Sequence, residues 1–362
     1  MTKFLLAGLL LFSLSAVAQL RERLDSVMRS SNPSTEPGTA LLVVVGGQII
    51  YKNGYGLANG KTKTPITAET NFRMATISKQ FTAMCILLLE KEGKLTLDDP
   101  LIKFFPGFNA RVGKKVHVRH LLTHSSGILD YEAVMDPQQR KQLLDDDVLA
   151  LISNRDSLYF EPGAQFRYSN SAYCLLALIV ERISGKPFVS FLEQRIFQPL
   201  HMTASTVYKA GKPIANRAMG YCRKGGGFIF SDQSVTSATK GDGGVYTSLN
   251  DYLKWINALQ AGTLLDLTAS LQRTGQSIPQ AKDSYYGAGW FFRRPDKPIL
   301  FHSGSTCGFN NYVVSIPSEH LLVLCFSNKA DNKANASAIL KIMAESSYPV
   351  LVDMLALDDL TQ

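Results

Sequence analysis

Phe72-Arg73-Met74-Ala75-Thr76-Ile77-Ser78-Lys79-Gln80-Phe81-Thr82 is the stretch on which the reading of this chain turns. From Ile77 onward the apolar residues Phe81, Met84, Cys85, Leu88 and Leu89 recur at helical spacing, and Gly93 ends the pattern. Ile86 and Leu87 are apolar as well, so the helix is expected to be buried on most sides. At its start, positions i and i+3 share a face, which puts Lys79 beside the Thr76 hydroxyl. The first turn of a helix also leaves N–H groups unpaired and carries the positive end of its dipole. A hydroxyl, a basic amine and free N–H donors together suit nucleophilic acyl transfer.

Strands are predicted on both sides of this helix. Ala40 to Val45 is a β-branched apolar run, Gly46-Gly47 is a two-residue hairpin signal, and Gln48 to Tyr55 is the return strand. Gly287 to Phe292, Ile299 to His302, Tyr312 to Ile316 and Leu321 to Phe326 read as further strands, followed by a helix over Ala334 to Ala344. Between them, Leu97 to Met202 is mostly helical in pattern and Asp251 to Leu259 is another helix. Tyr208 to Gly244 reads as loops, with Gly225-Gly226-Gly227 a flexible segment that follows no strand and cradles no phosphate. The pattern implies one sheet assembled from both ends of the chain, with a helical insertion beside it.

The chain has 362 residues, 45% hydrophobic and 19% charged, enough for one large domain or two closely packed ones. Lys3, the apolar run Phe4 to Phe12 and the small residues ending Ala16-Val17-Ala18 predict a signal peptide over residues 1–18. That run is shorter than the ~20 residues a membrane span needs, so an exported protein without a membrane-spanning segment is expected. A short helix over Leu20 to Met28 would open the mature chain. The five cysteines include no C-x-x-C, and Cys85, Cys174 and Cys325 lie in apolar runs, where cysteine acts as a small hydrophobe. The net charge of +8 is spread along the chain without aromatic–basic interleaving, which argues against a nucleic-acid partner.

Four more segments give the Thr76 stretch its context. Tyr168-Ser169-Asn170 precedes the apolar helix Cys174 to Ile183, His302-Ser303-Gly304-Ser305 leads into Gly308-Phe309, and Val118 to Gly127 and Gly241 to Tyr246 lie between. With Thr76-x-x-Lys79 standing for S-x-x-K, these resemble the Y-x-N and H-x-G motifs of the β-lactamase-related serine hydrolases. That group holds class C β-lactamases, D-alanyl-D-alanine carboxypeptidases and esterases. The resemblance runs from about Pro37 to Phe326. It implies an α+β, β-lactamase/transpeptidase-like fold: an antiparallel sheet flanked by helices, from residues 19–96 and 245–362, with 97–244 as the mostly helical insertion.

It also implies roles. Thr76 would be the nucleophile, Lys79 the base and Tyr168 a proton relay. Asn170 and His302 would hold substrate, with Gly304 and Ser305 on the adjoining strand and the Thr76 and Ser305 amides as oxyanion hole. The implied partner is a small ester, amide or peptide, with no cofactor. His120 and His124 have the i, i+4 spacing of zinc ligands, but Leu121 stands where a metalloprotease places its glutamate, so packing or loop anchoring is expected. Ser237-Ala-Thr-Lys240 is a literal S-x-x-K out of order and followed by Gly241, and Ser78 points to another side of the helix. The departure from the family is Thr76 itself, whose extra methyl restricts χ1 in a tight site. A working threonine hydrolase and a silent binding protein of the same fold both fit that departure.

Overall fold

The β-branched run predicted around Ala40 forms a strand, Thr39–Val45, that lies second from one edge of the sheet and joins segments from the two ends of the chain. On one side it pairs antiparallel with Gln48–Tyr55 through the Gly46-Gly47 turn (φ +56° and +79°), a pair of angles glycine adopts without strain. On the other side it pairs antiparallel with Leu321–Ser327, from Thr39 opposite Ser327 to Val44 opposite Leu322. A computed structural model describes the backbone of residues 2–346, 348–349 and 351–361, and the side chains of that range except those of 2–15, 352, 353, 355 and 361.

The sheet has eight antiparallel strands in the order Gln276–Ser277, Tyr285–Gly287, Trp290–Arg293, Ile299–Thr306, Phe309–Ile316, Leu321–Ser327, Thr39–Val45 and Gln48–Tyr55. It is thus built from N- and C-terminal segments, as the α+β reading requires. Helices Thr2–Ser31 and Lys333–Ser346 pack together, and the first of them contacts the outer strand Gln48–Tyr55. Leu24 and Met28 of that helix are fully buried. Elsewhere, helix Lys79–Lys91 contacts helix Asn170–Ser184, while Leu249–Gln260 contacts the Thr39–Val45 strand. Between the two sheet-forming segments lie mostly short helices, from Leu101–Phe104 to Phe188–Leu192.

Every residue from Lys79 to Leu89 is buried, so the central helix is enclosed on all sides. Burying one large aliphatic or aromatic side chain stabilises by about 1.5–3 kcal/mol, so Phe81, Ile86, Leu87, Leu88 and Leu89 together fix this helix firmly. Its first turn is also held by Gln80, whose side-chain oxygen accepts from Tyr252 Oη at 2.5 Å and Trp255 Nε1 at 3.2 Å. Gly93 (φ +69°) stops the helix as expected.

Three readings change. The Gly-rich stretch is not a flexible loop: Tyr221–Lys224 and Gly227–Phe230 form a hairpin, and Gly225-Gly226 (φ +57° and +81°) is its turn. Neither strand of that hairpin buries a face, so no alternation of apolar residues marks it in the sequence. The apolar run Gly287 to Phe292 is two strands, Tyr285–Gly287 and Trp290–Arg293, turning at Ala288-Gly289. Both sides of that turn are buried, which hides it; a Cβ on Gly289 would lie 2.5 Å from Gln80 Cα. Finally, the short helix expected from Leu20 to Met28 is part of the single helix Thr2–Ser31. Met1 of the expected signal peptide lies outside the described residues. Among the described residues, no helix is long and apolar enough to cross a membrane.

Candidate active site

The Thr76 stretch reaches its place through backbone pairing. Phe72–Arg73 pairs with Val245–Thr247, and the Met74 N–H donates to Val245 O at 2.8 Å. Asn311 Nδ2 donates to Arg73 O at 2.8 Å and ties the same segment to the sheet. The chain then turns sharply: Ala75 sits at φ +50°, a left-handed conformation that costs an L-residue about 1–2 kcal/mol. A 3-10 turn, Ala75–Ser78, leads into the α-helix at Lys79. Strand Ile299–Thr306 presses against this turn so closely that a Cβ on Gly304 would lie 2.1 Å from Met74 O. Glycine at position 304 is therefore a steric requirement.

From Asn71 to Gln80 every residue is buried except Thr76. Thr76 borders a cavity of about 60 Å³ with Ser305, Thr306, Asn170, Glu132 and Asp242 among its walls. Next to it opens a larger cleft of about 630 Å³, where Tyr168 and Asn170 meet Asp130, Glu132 and Gln280. The Thr76 hydroxyl donates to Ser303 O at 2.8 Å. Lys79, fully buried, donates from Nζ to Asn170 Oδ1 at 2.8 Å and to Asp242 O at 3.0 Å. Its Nζ lies 4.9 Å from the Tyr168 ring centroid and 5.5 Å from that of Tyr173. Burial lowers the Lys79 pKa, and the negative charges of Asp242, Asp130 and Glu132 oppose that shift.

Tyr168 shows part of its ring to the cleft while its hydroxyl is buried and without a hydrogen bond of good geometry. Burial pushes its pKa well above 10; Thr76 and Tyr286 lie close enough to oppose that shift. Asn170 opens helix Asn170–Ser184, with Ser169 as its N-cap accepting from Ala172 N at 3.2 Å. Because the Asn170 Oδ1 faces the Lys79 donor, its Nδ2 faces Glu132 Oε1, at 3.4 Å.

His302 does not line the cavity. It is fully buried, and Ser303 O, which can only accept, lies 2.6 Å from its Nδ1, so Nδ1 carries the proton. Nε2 then accepts from Tyr286 Oη at 3.2 Å. Burial brings the imidazole down to about 3, so it is neutral. Ser303 O thus receives both the Thr76 hydroxyl and the His302 N–H.

The rejected candidates sit elsewhere. Ser78 Oγ is buried and accepts from Val245 N at 3.0 Å. Ser237 Oγ accepts from Ser234 N, and the Lys240 amide donates to Asp145. His120 Nδ1 accepts from His117 N at 3.1 Å, while His124 leaves the short helix Val118–Leu122 at φ +55° and turns inward. Their i, i+4 spacing therefore does not place them on one helical face.

Sequence reading missed the acidic wall. Asp130 Oδ2 accepts from the amides of Asn170 and Ser171, at 2.7 and 3.4 Å, and so caps the helix that carries Asn170. Burial raises the pKa of both Asp130 and Glu132. No local pattern marks these residues, since locally Asp130 caps only the four-residue helix Tyr131–Val134, and the fold alone brings its carboxylate to Asn170.

Comparison with known proteins places this geometry. Residues 26–345 match the family described as Beta-lactamase. Penicillin-binding protein 4* of Bacillus subtilis is 28% identical over 350 residues, covering 89% of this chain and 74% of that protein. The structure of a penicillin-binding protein from Bacillus halodurans superposes with a TM-score of 0.77 at 27% identity, over 88% of this chain and 98% of the other. The D-amino acid amidase of Ochrobactrum anthropi, at 23% identity, shares the fold with a TM-score of 0.75 over 91% of this chain and 99% of its own.

Proposed function

This chain belongs to the Beta-lactamase family, and from that premise we propose that it is an exported acyl-transfer hydrolase working through an acyl-enzyme on Thr76. One observation carries the proposal: Thr76, bordering the cavity, is the one residue from Asn71 to Gln80 that is not buried, and the buried amine of Lys79 follows one turn later. In the proposed reaction the Thr76 hydroxyl rotates away from Ser303 O and attacks the substrate carbonyl. Its proton passes to Lys79, whose burial favours the neutral amine that accepts it. Tyr168, a neutral phenol, delivers a proton to the departing group and is reprotonated by the proton Lys79 took from Thr76, and water later releases the acyl chain and returns a proton to the Thr76 oxygen. The amides of Thr76 and Ser305 stabilise the oxyanion.

The state of His302 bears on the substrate. A buried neutral imidazole offers no charge to a substrate carboxylate, which favours uncharged esters and amides over penicillin-like anions. The charged, apolar and small-residue pattern over residues 1–18 is what supports export in this reading.

A second reading is favoured by a separate observation. The Thr76 hydroxyl is bonded to the sheet and Lys79 to Asn170 and Asp242, so the resting nucleophile and base are engaged elsewhere. If the threonine methyl locks that rotamer, the protein binds ligand without turning it over.

Incubation with a reactive aryl ester or a fluorescent penicillin, followed by mass spectrometry, separates the two. The hydrolase reading expects an adduct at Thr76 that disappears in Thr76→Ala. An unlabelled wild type beside a rapidly labelled Thr76→Ser would establish the silent reading. An unlabelled Thr76→Ser would remove the nucleophile from this position altogether.

A further inference from the structure

We propose that His124 is the positioning residue for Tyr168, holding the phenol over Lys79. The inference rests on the reading of Tyr168 as part of the reacting group. His124 grips the chain on both sides of that tyrosine. Its carbonyl accepts from Arg167 N at 2.9 Å, and its Nδ1 accepts from Ser169 N at 3.1 Å. Its ring lies against the phenol between them, with centroids 4.1 Å apart and planes tilted by 31°. The neighbouring turn continues the contact, Ser125 O accepting from Gly163 N and Gly127 O from Tyr159 N.

The chemistry of the ring is fixed by these partners. An amide can only donate, so Nδ1 must be the acceptor and the neutral imidazole carries its proton on Nε2. Burial holds the His124 pKa well below 6.5, and the nearby Lys79 pushes it the same way. A protonated ring would set one N–H against another and release Ser169. The remaining walls are aromatic: Tyr286 at 4.5 Å, Tyr173 at 5.1 Å and Phe166 at 5.9 Å. His124 is fully buried, stands at φ +55°, and leaves its Nε2–H without a partner. A left-handed non-glycine backbone and an unmade hydrogen bond each cost about 1–3 kcal/mol. Packing alone would be served better by phenylalanine in an ordinary conformation. What histidine adds here is the Nδ1 acceptor aimed at the peptide beside Tyr168.

The test uses two independent readouts on the full chain. Hydrogen exchange reads position directly: in His124→Phe, the amides of Arg167 and Ser169 should exchange at least about tenfold faster while the Lys79–Lys91 helix stays protected. His124→Asn tolerates positive φ and keeps a side-chain acceptor, so its exchange should fall between the two. Acylation by the aryl ester reads consequence: His124→Phe should lower kcat by about 100-fold, as expected for a displacement near 1 Å, with KM within about twofold. On a Tyr168→Phe background the same change should cost nothing further, because His124 acts through Tyr168. If wild type is not acylated, the cycle is run on Thr76→Ser. If that too is inert, the acyl-transfer reading fails, and exchange at 167 and 169 still decides whether His124 holds the segment. Unchanged exchange in both variants, or an undiminished loss on the Tyr168→Phe background, overturns the proposal.

Discussion

Thr76 and Lys79 are three positions apart in the chain, yet they are tethered to different layers of the molecule. The Thr76 side is bound to the sheet: its hydroxyl donates to Ser303 O, and its turn is pressed by the strand at Gly304. The Lys79 side is bound to the helical layer, through Asn170 Oδ1 and the Asp242 carbonyl. A proton moving between the two residues crosses the boundary between layers. Reactivity here is governed less by helical spacing than by how firmly each tether holds.

The largest expected effect comes from breaking the sheet tether by force. Gly304→Ala places a methyl 2.1 Å from Met74 O, a backbone atom with no room to yield. A loss of about 3 kcal/mol or more is expected, seen as a marked fall in urea midpoint together with loss of labelling at Thr76. A variant of wild-type stability would show that the strand and the Thr76 turn are not in the contact described. Releasing the hydroxyl gently should have the opposite sign. Thr76→Ser removes the methyl that restricts χ1, and labelling should accelerate by roughly 5–150-fold, corresponding to about 1–3 kcal/mol. An equal or slower rate would mean that the tether to Ser303 is not what limits the nucleophile.

His302 shares Ser303 O and should reveal itself through pH. Its folded pKa is about 3 against an ordinary 6.5, so the unfolded ring binds a proton at a pH where the folded ring does not. Stability from this group is therefore complete above about pH 6.5 and declines as pH falls toward 3, by up to about 1.4 kcal/mol per unit. The stability advantage of wild type over His302→Gln, from urea unfolding at pH 7, 5.5 and 4.5, should shrink with acid. A gap that stays constant would mean His302 titrates normally. The smallest effect belongs to the helical tether. Asp130→Ala removes the acceptor for the Asn170 and Ser171 amides and should cost about 0.5–2 kcal/mol, read as a modest drop in Tm. No change would mean that water replaces the carboxylate without loss.

Much of the fold was legible because burial leaves a period in the sequence. The run at Ala40 to Val45, the Gly46-Gly47 turn and the enclosed helix to Leu89 could be placed from hydrophobic pattern and glycine alone. The hairpin at Gly225-Gly226 has the same turn signal as Gly46-Gly47, but its strands bury no face, so the signal had no periodic flanks to confirm it. The hidden turn at Ala288-Gly289 failed for the opposite reason, being buried on both sides.

In the site, the sequence by itself determined the residue types and their order: a hydroxyl and a lysine on one turn, then Tyr168 with Asn170, then His302 with Gly304. Their bonding and protonation states come from the folded arrangement. It bonded the Thr76 hydroxyl to Ser303, withdrew His302 behind the cavity wall as a neutral ring, and set His124 against the peptides beside Tyr168. The physical reason is that helical spacing depends on neighbours a few residues away. A hydrogen-bond partner or a shifted pKa depends on contacts that the fold creates, such as those of Thr76 with Ser303, 227 residues on, and of His124 with Ser169, 45 residues on.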